Sequence, residues 1–206
     1  RGYFYPIVGS SDTHSIDRAE PGYSRTYVFY GGKRGDGLDW PLLAQAIKKG
    51  RSFTSNGPIV EFKVNGKHTS GDTFSAPGGK VDIWIHVQSA PWVAVEEVRL
   101  IINGERKVIF PVSAPEKSLD KFAEQITLTL KKDAYLAIEA LGKQTLYPVL
   151  QQFARSGELK DAAFPYALTN PVFVDVDGNG KFNAPWPQPV QFAKEPLEAN
   201  SQTSRR

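Results

Sequence analysis

Two groups of residues have types and spacings suited to chemistry. The first is Asp12-Thr13-His14, which follows the apolar run Phe4 to Val8 and the turn-prone Gly9-Ser10-Ser11. A carboxylate and an imidazole two positions apart at a strand end offer oxygen and nitrogen donors that suit zinc, manganese or iron. At this spacing Asp12 and His14 can reach two metals or two faces of one site, and a dinuclear centre lowers the pKa of a bound water and holds a phosphate-like transition state. The same residues also make an ordinary turn in which Asp12 bonds nearby backbone, and a lone Asp-x-His is a short pattern. The second group is Asp175-Val176-Asp177-Gly178-Asn179-Gly180-Lys181-Phe182-Asn183, the front half of a calcium loop. Asp175, Asp177 and Asn179 stand at the alternating ligand positions, Lys181 offers a carbonyl, and Gly180 occupies the tight-turn position. The closing acid is missing, because Trp186 stands in its place. An Asx-rich turn ending a strand is the competing reading.

Other residues carry weaker signals. Arg25 follows Asp12 and His14 and can bind an anionic substrate near their metals, or simply form a salt bridge. His86 sits mid-strand on a polar face and reads as a surface or satisfied histidine, and His68 reads as solvent-exposed in a polar turn. Trp84, Trp92, Trp186 and Tyr166 can form a carbohydrate-stacking platform, although buried core aromatics account for most of them more simply. No Gly-rich phosphate loop or Ser-His-Asp arrangement is present.

The elements that must position these groups change character along the chain. Residues 1–57 read as mixed α/β. The apolar run at Phe4 is followed by a strand from Thr26 to Tyr30. Asp39 then caps a short helix over residues 40–49, with Leu42, Leu43, Ala46 and Ile47 at helical spacing, Lys48 and Lys49 in the last turn and Gly50 as the stop. From Arg51 the chain runs to turn signals at Asn56-Gly57-Pro58. Residues 58–190 switch to period two. Val81, Ile83, Ile85 and Val87 alternate with polar residues. Val98, Leu100 and Ile102 lead to the hairpin signal Asn103-Gly104, and Val108 to Val112 return from it. Ile59 to Val64, Ile126 to Leu130, Leu136 to Ala140 and Val172 to Val176 bring the count to about seven strands. The expected fold is therefore mostly β: an antiparallel immunoglobulin-like β-sandwich behind a small α/β segment. Residues 191–206 form a polar tail.

Composition narrows the class. The 206 residues are 40% hydrophobic and 12% aromatic, enough for a packed core. The absence of Cys excludes disulfides, thiolate zinc sites and cysteine nucleophiles. It fits an exported or periplasmic protein without requiring one. The net charge of +3 is that of an ordinary soluble surface. The clusters Lys48-Lys49-Arg51, Lys131-Lys132 and Arg205-Arg206 are short and lack interleaved aromatics, which argues against nucleic-acid binding. No apolar run approaches the length of a membrane span. The chain opens at Arg1 in a strand-like segment with no Met and no signal-peptide pattern. The expectation is a terminus made by cleavage, or preceding sequence outside these residues.

The motifs taken together resemble a known family. Gly9-Ser10-Ser11-Asp12-Thr13-His14 and Pro21-Gly22-Tyr23-Ser24-Arg25-Thr26-Tyr27-Val28 resemble the end of the PHP (polymerase and histidinol phosphatase) domain, in its CehA/McbA-type branch. The resemblance continues through Leu43 to Pro58, Gly71-Asp72-Thr73, Thr169-Asn170-Pro171 and Asp175 to Gly180, and so covers nearly the whole chain. It implies a metal-dependent hydrolase, often a phosphoesterase, on a distorted βα barrel, with a branch that acts on carbamate-type esters. It also implies that Asp12 and His14 are the last ligands of a two- or three-metal site. The family's earlier His-rich motifs have no counterpart among the three His of this chain.

Two functional readings follow. In one, residues 1–57 are the C-terminal end of a PHP-type barrel and residues 58–190 an accessory β-sandwich. The missing N-terminal barrel is then part of the same polypeptide or an associated cleaved chain, and these residues alone are inactive. In the other, the chain is a non-catalytic β-sandwich that binds carbohydrate or protein, or plays a structural part.

Overall fold

The computed structural model describes residues 5–14, 22–33, 35–115, 117–147, 149 and 163–183. In chain order the elements are β1 (Arg25–Val28), α1 (Trp40–Lys48), β2 (Ser52–Ser55), β3 (Ile59–Val64), β4 (Thr73–Ser75), β5 (Lys80–Gln88), β6 (Glu97–Ile102), β7 (Glu105–Pro111), β8 (Asp120–Thr129), β9 (Ala134–Leu141), β10 (Tyr166–Thr169) and β11 (Val172–Asp175). The polar tail and Trp186 lie outside the described residues. No described helix is long and apolar enough to cross a membrane.

Period-two patterning builds two sheets that share one apolar core. Val81, Ile83, Ile85 and Val87 of β5 are fully buried, as are Val60 and Val64 of β3. β5 is the centre of the antiparallel sheet β3-β5-β8. Val98 and Leu100 of β6, Leu136, Ile138 and Ala140 of β9, and Val172 and Val174 of β11 pack into the same cluster from the second sheet. That sheet runs β1-β2-β10-β9-β11-β4, with β6 and β7 continuing from β9. Its ladders are antiparallel except β4 with β11. The chain is thus mostly β, as expected, with one helix among the described residues. Each fully buried Val, Ile or Leu contributes about 1.5–3 kcal/mol relative to exposure.

β10 and β11 lie end to end along β9, separated by Asn170-Pro171. Proline cannot donate to a ladder and so breaks the strand here. The break lets β2 pair with β10 and β4 with β11. At the gap the Thr169 hydroxyl accepts from the Ile138 amide at 2.9 Å, replacing a ladder bond. The Asn103-Gly104 turn joins β6 to β7 with φ +52° and +84°, the left-handed pair that favours Asn and Gly.

The helix forms where its cap predicts. Asp39 Oδ1 accepts from the Leu42 amide at 2.9 Å, and Gly50 follows with φ +70°. Asp39→Ala should cost about 1 kcal/mol. An unchanged urea midpoint in that variant would show that tertiary contacts, not the cap, hold α1.

Several expectations need correction. Arg51 to Ser55 does not simply lead into a turn, because Ser52–Ser55 is β2, and β4 and β10 were also not anticipated. Period-two hydrophobicity is faint in these strands: β2 buries Ser52 and Ser55, while β4 is three residues long. The apolar run before Asp12 is not a named strand: residues 5–10 are irregular, and Tyr5, Ile7 and Val8 are exposed. Phe4 lies outside the described residues. β2 ladders with β10, so hydrogen bonds join residues on either side of residue 57.

Candidate metal-ligating sites

The Asp12-His14 segment is held by side chains rather than by a backbone ladder. Asn170 is fully buried. Its Oδ1 accepts from the Ile7 amide at 2.7 Å. Its Nδ2 donates to Ile7 O at 3.0 Å, Ser52 O at 3.1 Å and Ser52 Oγ at 2.9 Å. Two residues on, the Gly9 amide donates to Thr26 Oγ1 at 2.8 Å, and that hydroxyl donates to Gly9 O at 2.9 Å. A Cβ at Gly9 would stand 2.0 Å from Thr54 Oγ1 and 2.9 Å from Arg25 O, so no larger residue fits this docking. Ile7 sits by Ser52 and Gly9 by Arg25, so the chain runs toward the Arg25–Ser55 end of the β1–β2 pair.

Beyond Gly9 the two expected ligands face solvent, with side-chain exposures of 94% for Asp12 and 79% for His14. His14 Nδ1 bonds the Asp12 carbonyl and lies 3.9 Å from the Asp12 carboxylate. A proton on Nδ1 leaves the Nε2 lone pair free, the arrangement of a metal-ligating histidine whose other nitrogen donates to a carbonyl. Among the described residues, no third acid or imidazole joins this pair in a metal-sized group. Arg25 is exposed, with its guanidinium 4.4 Å from the centre of the Tyr23 ring. A hydrogen bond with Tyr27, followed by smaller contributions from Tyr23, raises its pKa further above its ordinary range against the opposing effect of burial.

The second site gains a residue that sequence reasoning missed. Asp133, on the turn between β8 and β9, joins Asp175 and Asp177, with one carboxylate oxygen from each within 4.8 Å of the others. Asp133 and Asp175 are buried and Asp177 is exposed. The loop is tightly wound. Asp175 Oδ1 accepts from the Gly178 amide at 2.8 Å, and Oδ2 from the Gly180 amide at 2.9 Å and from Ser75 Oγ. Asp177 Oδ1 accepts from the Asn179 amide at 3.0 Å, and Asn179 Oδ1 from the Lys181 amide at 2.8 Å. Asp133 accepts from the amides of Val176 at 2.8 Å and Asn183 at 2.6 Å. The Ser75 hydroxyl first, and the two glycine amides after it, hold the Asp175 carboxyl below its usual pKa against the effect of burial, so it is ionised at neutral pH. Carboxylate oxygens keep further lone pairs after accepting one N–H, so this all-oxygen donor set fits a hard cation such as calcium. In the sequence, Asp133 stands only as the second residue of a turn-prone Lys132-Asp133 pair.

The remaining candidates fall apart as a group. His86 Nε2 pairs with Asp120 Oδ1 at 2.8 Å, the satisfied surface histidine expected. His68 is not free in solvent: it is half-buried and stacks on Phe74 with ring centres 4.0 Å apart, because the bridge between Val64 and His68 folds the turn back over β4. Burial first, and the Lys67 charge second, lower its pKa. The described aromatics do not make one platform. Trp84 is half-buried on the outer face of β5. Trp92 is 50% exposed in the β5–β6 connection, and Tyr166 donates to Glu139 Oε1 at 3.0 Å.

Glu139 carries a network that the motifs did not mark. It is buried on β9 and accepts from Arg99 Nη1 at 3.0 Å, Arg106 Nε at 2.9 Å and Arg106 Nη2 at 3.3 Å, besides Tyr166. Burial pushes its pKa up, but the two guanidinium groups and the phenol outweigh this and hold it below the usual value. Burial, and next the bond to Glu139, push the Tyr166 phenol up to about 12. No family model matches the chain, and no curated protein matches it.

Proposed function

We propose that this chain is the C-terminal portion of a PHP-type metal-dependent hydrolase of the CehA/McbA kind. In this reading, residues 1–57 are the last part of the barrel and the remaining strands an accessory immunoglobulin-like β-sandwich. Asp12 and His14 contribute two ligands to a zinc, manganese or iron centre completed by residues outside this sequence. The observation that carries the reading is the Asn170 clamp. Gly9, Thr26, Ser52 and Asn170 belong to segments scattered along the chain that share the family resemblance, and here they lock together around the segment bearing Asp12 and His14. A bound metal would supply an activated water for ester or phosphoester hydrolysis. The chain's own part is to present the Asp12 carboxylate and the His14 Nε2 lone pair, and to offer the Arg25 cation to an anionic substrate group.

The test is metal analysis and phosphoesterase assay of the protein isolated from its natural source, beside the 206-residue chain. The natural protein should be longer or carry an associated second chain, bind transition metal, and lose it in Asp12→Ala and His14→Ala. The 206-residue chain should be inactive with manganese or zinc. Robust turnover by that chain, or a natural protein of these residues alone, sinks the reading and favours a non-catalytic module.

The same reading gives calcium to Asp133, Asp175, Asp177 and Asn179, where it would pin the β8–β9 turn to the end of β11. Calcium at about tenfold over its Kd should add about 1.4 kcal/mol and raise the Tm by a few degrees. Asp177→Ala should remove that increment; an increment that survives, or none in the parent chain, refutes the site.

A further inference from the structure

The outer face of the three-stranded sheet carries one large aromatic in polar surroundings. Trp84 lies at the middle of β5, the central strand of this sheet. Its neighbours on the same face are Asp82 and His86 along the strand, and Lys63 and Gln125 directly across it on β3 and β8. All four are polar. The opposite face of β5 fills the core with Val81, Ile83, Ile85 and Val87, so Trp84 is not needed there. A partly buried indole on a polar strand face is ordinary for Trp taken alone, and what sets this one apart is the depression that it lines. Lys63, Gly66, Asp82, Trp84 and Gln125 line a depression of about 250 Å³.

The lining is ordered where it needs to be. Asp82 Oδ1 accepts from Thr127 Oγ1, and the Asp82 amide donates to Asn65 Oδ1 at 2.9 Å. His86 is fixed by Asp120 and its ring lies 5.6 Å from the indole. Lys63 Nζ is 5.7 Å from the indole centre, close enough for a weak cation–π contact and free to swing aside. Among the described residues, Gln125 and Lys63 make no side-chain hydrogen bond, so a ligand can use their donors and acceptors.

We infer that this face is a binding site for a neutral β-linked glucan, one pyranose ring stacking on Trp84 while Gln125, Asp82 and Lys63 bond its hydroxyls. Three considerations support that ligand. First, an all-equatorial pyranose presents a flat face of axial C–H bonds to the indole and a rim of hydroxyls that both donate and accept. Asp82 accepts, Lys63 donates, and Gln125 does both. Second, the charges on the face are mixed, with Glu61, Asp82 and Asp120 against Lys63 and Lys80. There is no cationic excess to hold nucleic acid, an anionic membrane or a sulfated chain. Third, the depression is smaller than the roughly 300–1,000 Å³ of pockets that engulf drug-sized ligands, and it is a surface feature that suits one ring of a chain passing over the sheet.

The test is isothermal titration of the 206-residue chain with laminarihexaose and cellohexaose, with heparin as the polyanion. One of the two glucans should bind saturably and heparin should not. Trp84→Ala should weaken that binding by roughly tenfold or more, the loss of about 1.4 kcal/mol. Gln125→Ala should weaken it several-fold, and Trp92→Ala should leave it unchanged. Trp84 and Gln125 lie outside the core, and circular dichroism with the urea midpoint confirms that each variant is folded. Absence of binding to both glucans, heparin binding that Trp84→Ala weakens, or glucan binding that survives Trp84→Ala overturns the assignment. None of these outcomes depends on the metal-site reading.

Discussion

Glu139→Ala is expected to destabilise the protein by about 2 kcal/mol, the cost of removing a buried acceptor shared by Arg99, Arg106 and Tyr166. The loss falls mainly on Arg99, whose side chain is 21% exposed and retains only Glu97 as a partner. Arg106, at 55% exposure, can turn to water. Glu139→Leu should therefore cost less per removed bond than its partner count suggests, and Glu139→Gln less again, since the amide keeps an acceptor for Tyr166 or one guanidinium. The network also predicts a pH dependence with a definite sign. The folded pKa of Glu139 is held below its unfolded value. Its contribution is thus fully present above the unfolded carboxyl value and is lost as pH falls through the folded one. Urea unfolding across the acidic range should show the parent chain losing stability relative to its neutral value more steeply than Glu139→Gln. Parallel curves would mean that other carboxylates dominate the acid limb.

Asn170→Ala should cost about 2–3 kcal/mol and free the segment that carries Asp12 and His14. The side chain makes four hydrogen bonds, two to Ile7 and two to Ser52. Water can replace the bonds to Ile7, which is 40% exposed, but cannot reach buried Ser52. Removing one partner of a buried pair costs the desolvation of the group left behind, about 1–3 kcal/mol. Two readouts separate the local effect from the global one. Hydrogen exchange should lose protection at the Ile7 amide, while the amides of β5 keep theirs relative to global stability. Under the proposed metal-site reading, transition-metal affinity of the natural protein should also fall with the Asp12 and His14 side chains intact. A stability change within about 0.5 kcal/mol, with Ile7 still protected, would show that the clamp is incidental.

The parts of this protein that were legible in its sequence are those written in local pattern. Alternation at Val81 to Val87 and Val98 to Ile102 located β5 and β6 to within about one residue at each end, because one buried face imposes period two. The cap at Asp39 and the stop at Gly50 bounded α1, because helix ends leave amides and carbonyls that only particular residues satisfy. The Asn103-Gly104 turn needed φ above zero twice, and few other pairs supply it. The candidate oxygen donors Asp175, Asp177 and Asn179 were visible for the same reason, since a single loop of fixed spacing carries them.

What escaped the sequence depends on residues far apart in the chain. β2 and β10 are held by pairing and by small buried polar groups, so their own hydrophobic pattern is faint. Asn170 meets Ile7 across 163 positions, and Asp133 meets Val176 across 43. Neither side chain sits in a pattern that local spacing can reveal. The Asp12-His14 pair shows the division most clearly. The sequence by itself supplied a carboxylate and an imidazole at a workable spacing. Only the tertiary structure decided that both side chains point outward from a segment pinned at Asn170 and Gly9. The physical reason is that ligand identity is local chemistry, whereas direction and support are set by buried hydrogen bonds that form only after distant strands have come together.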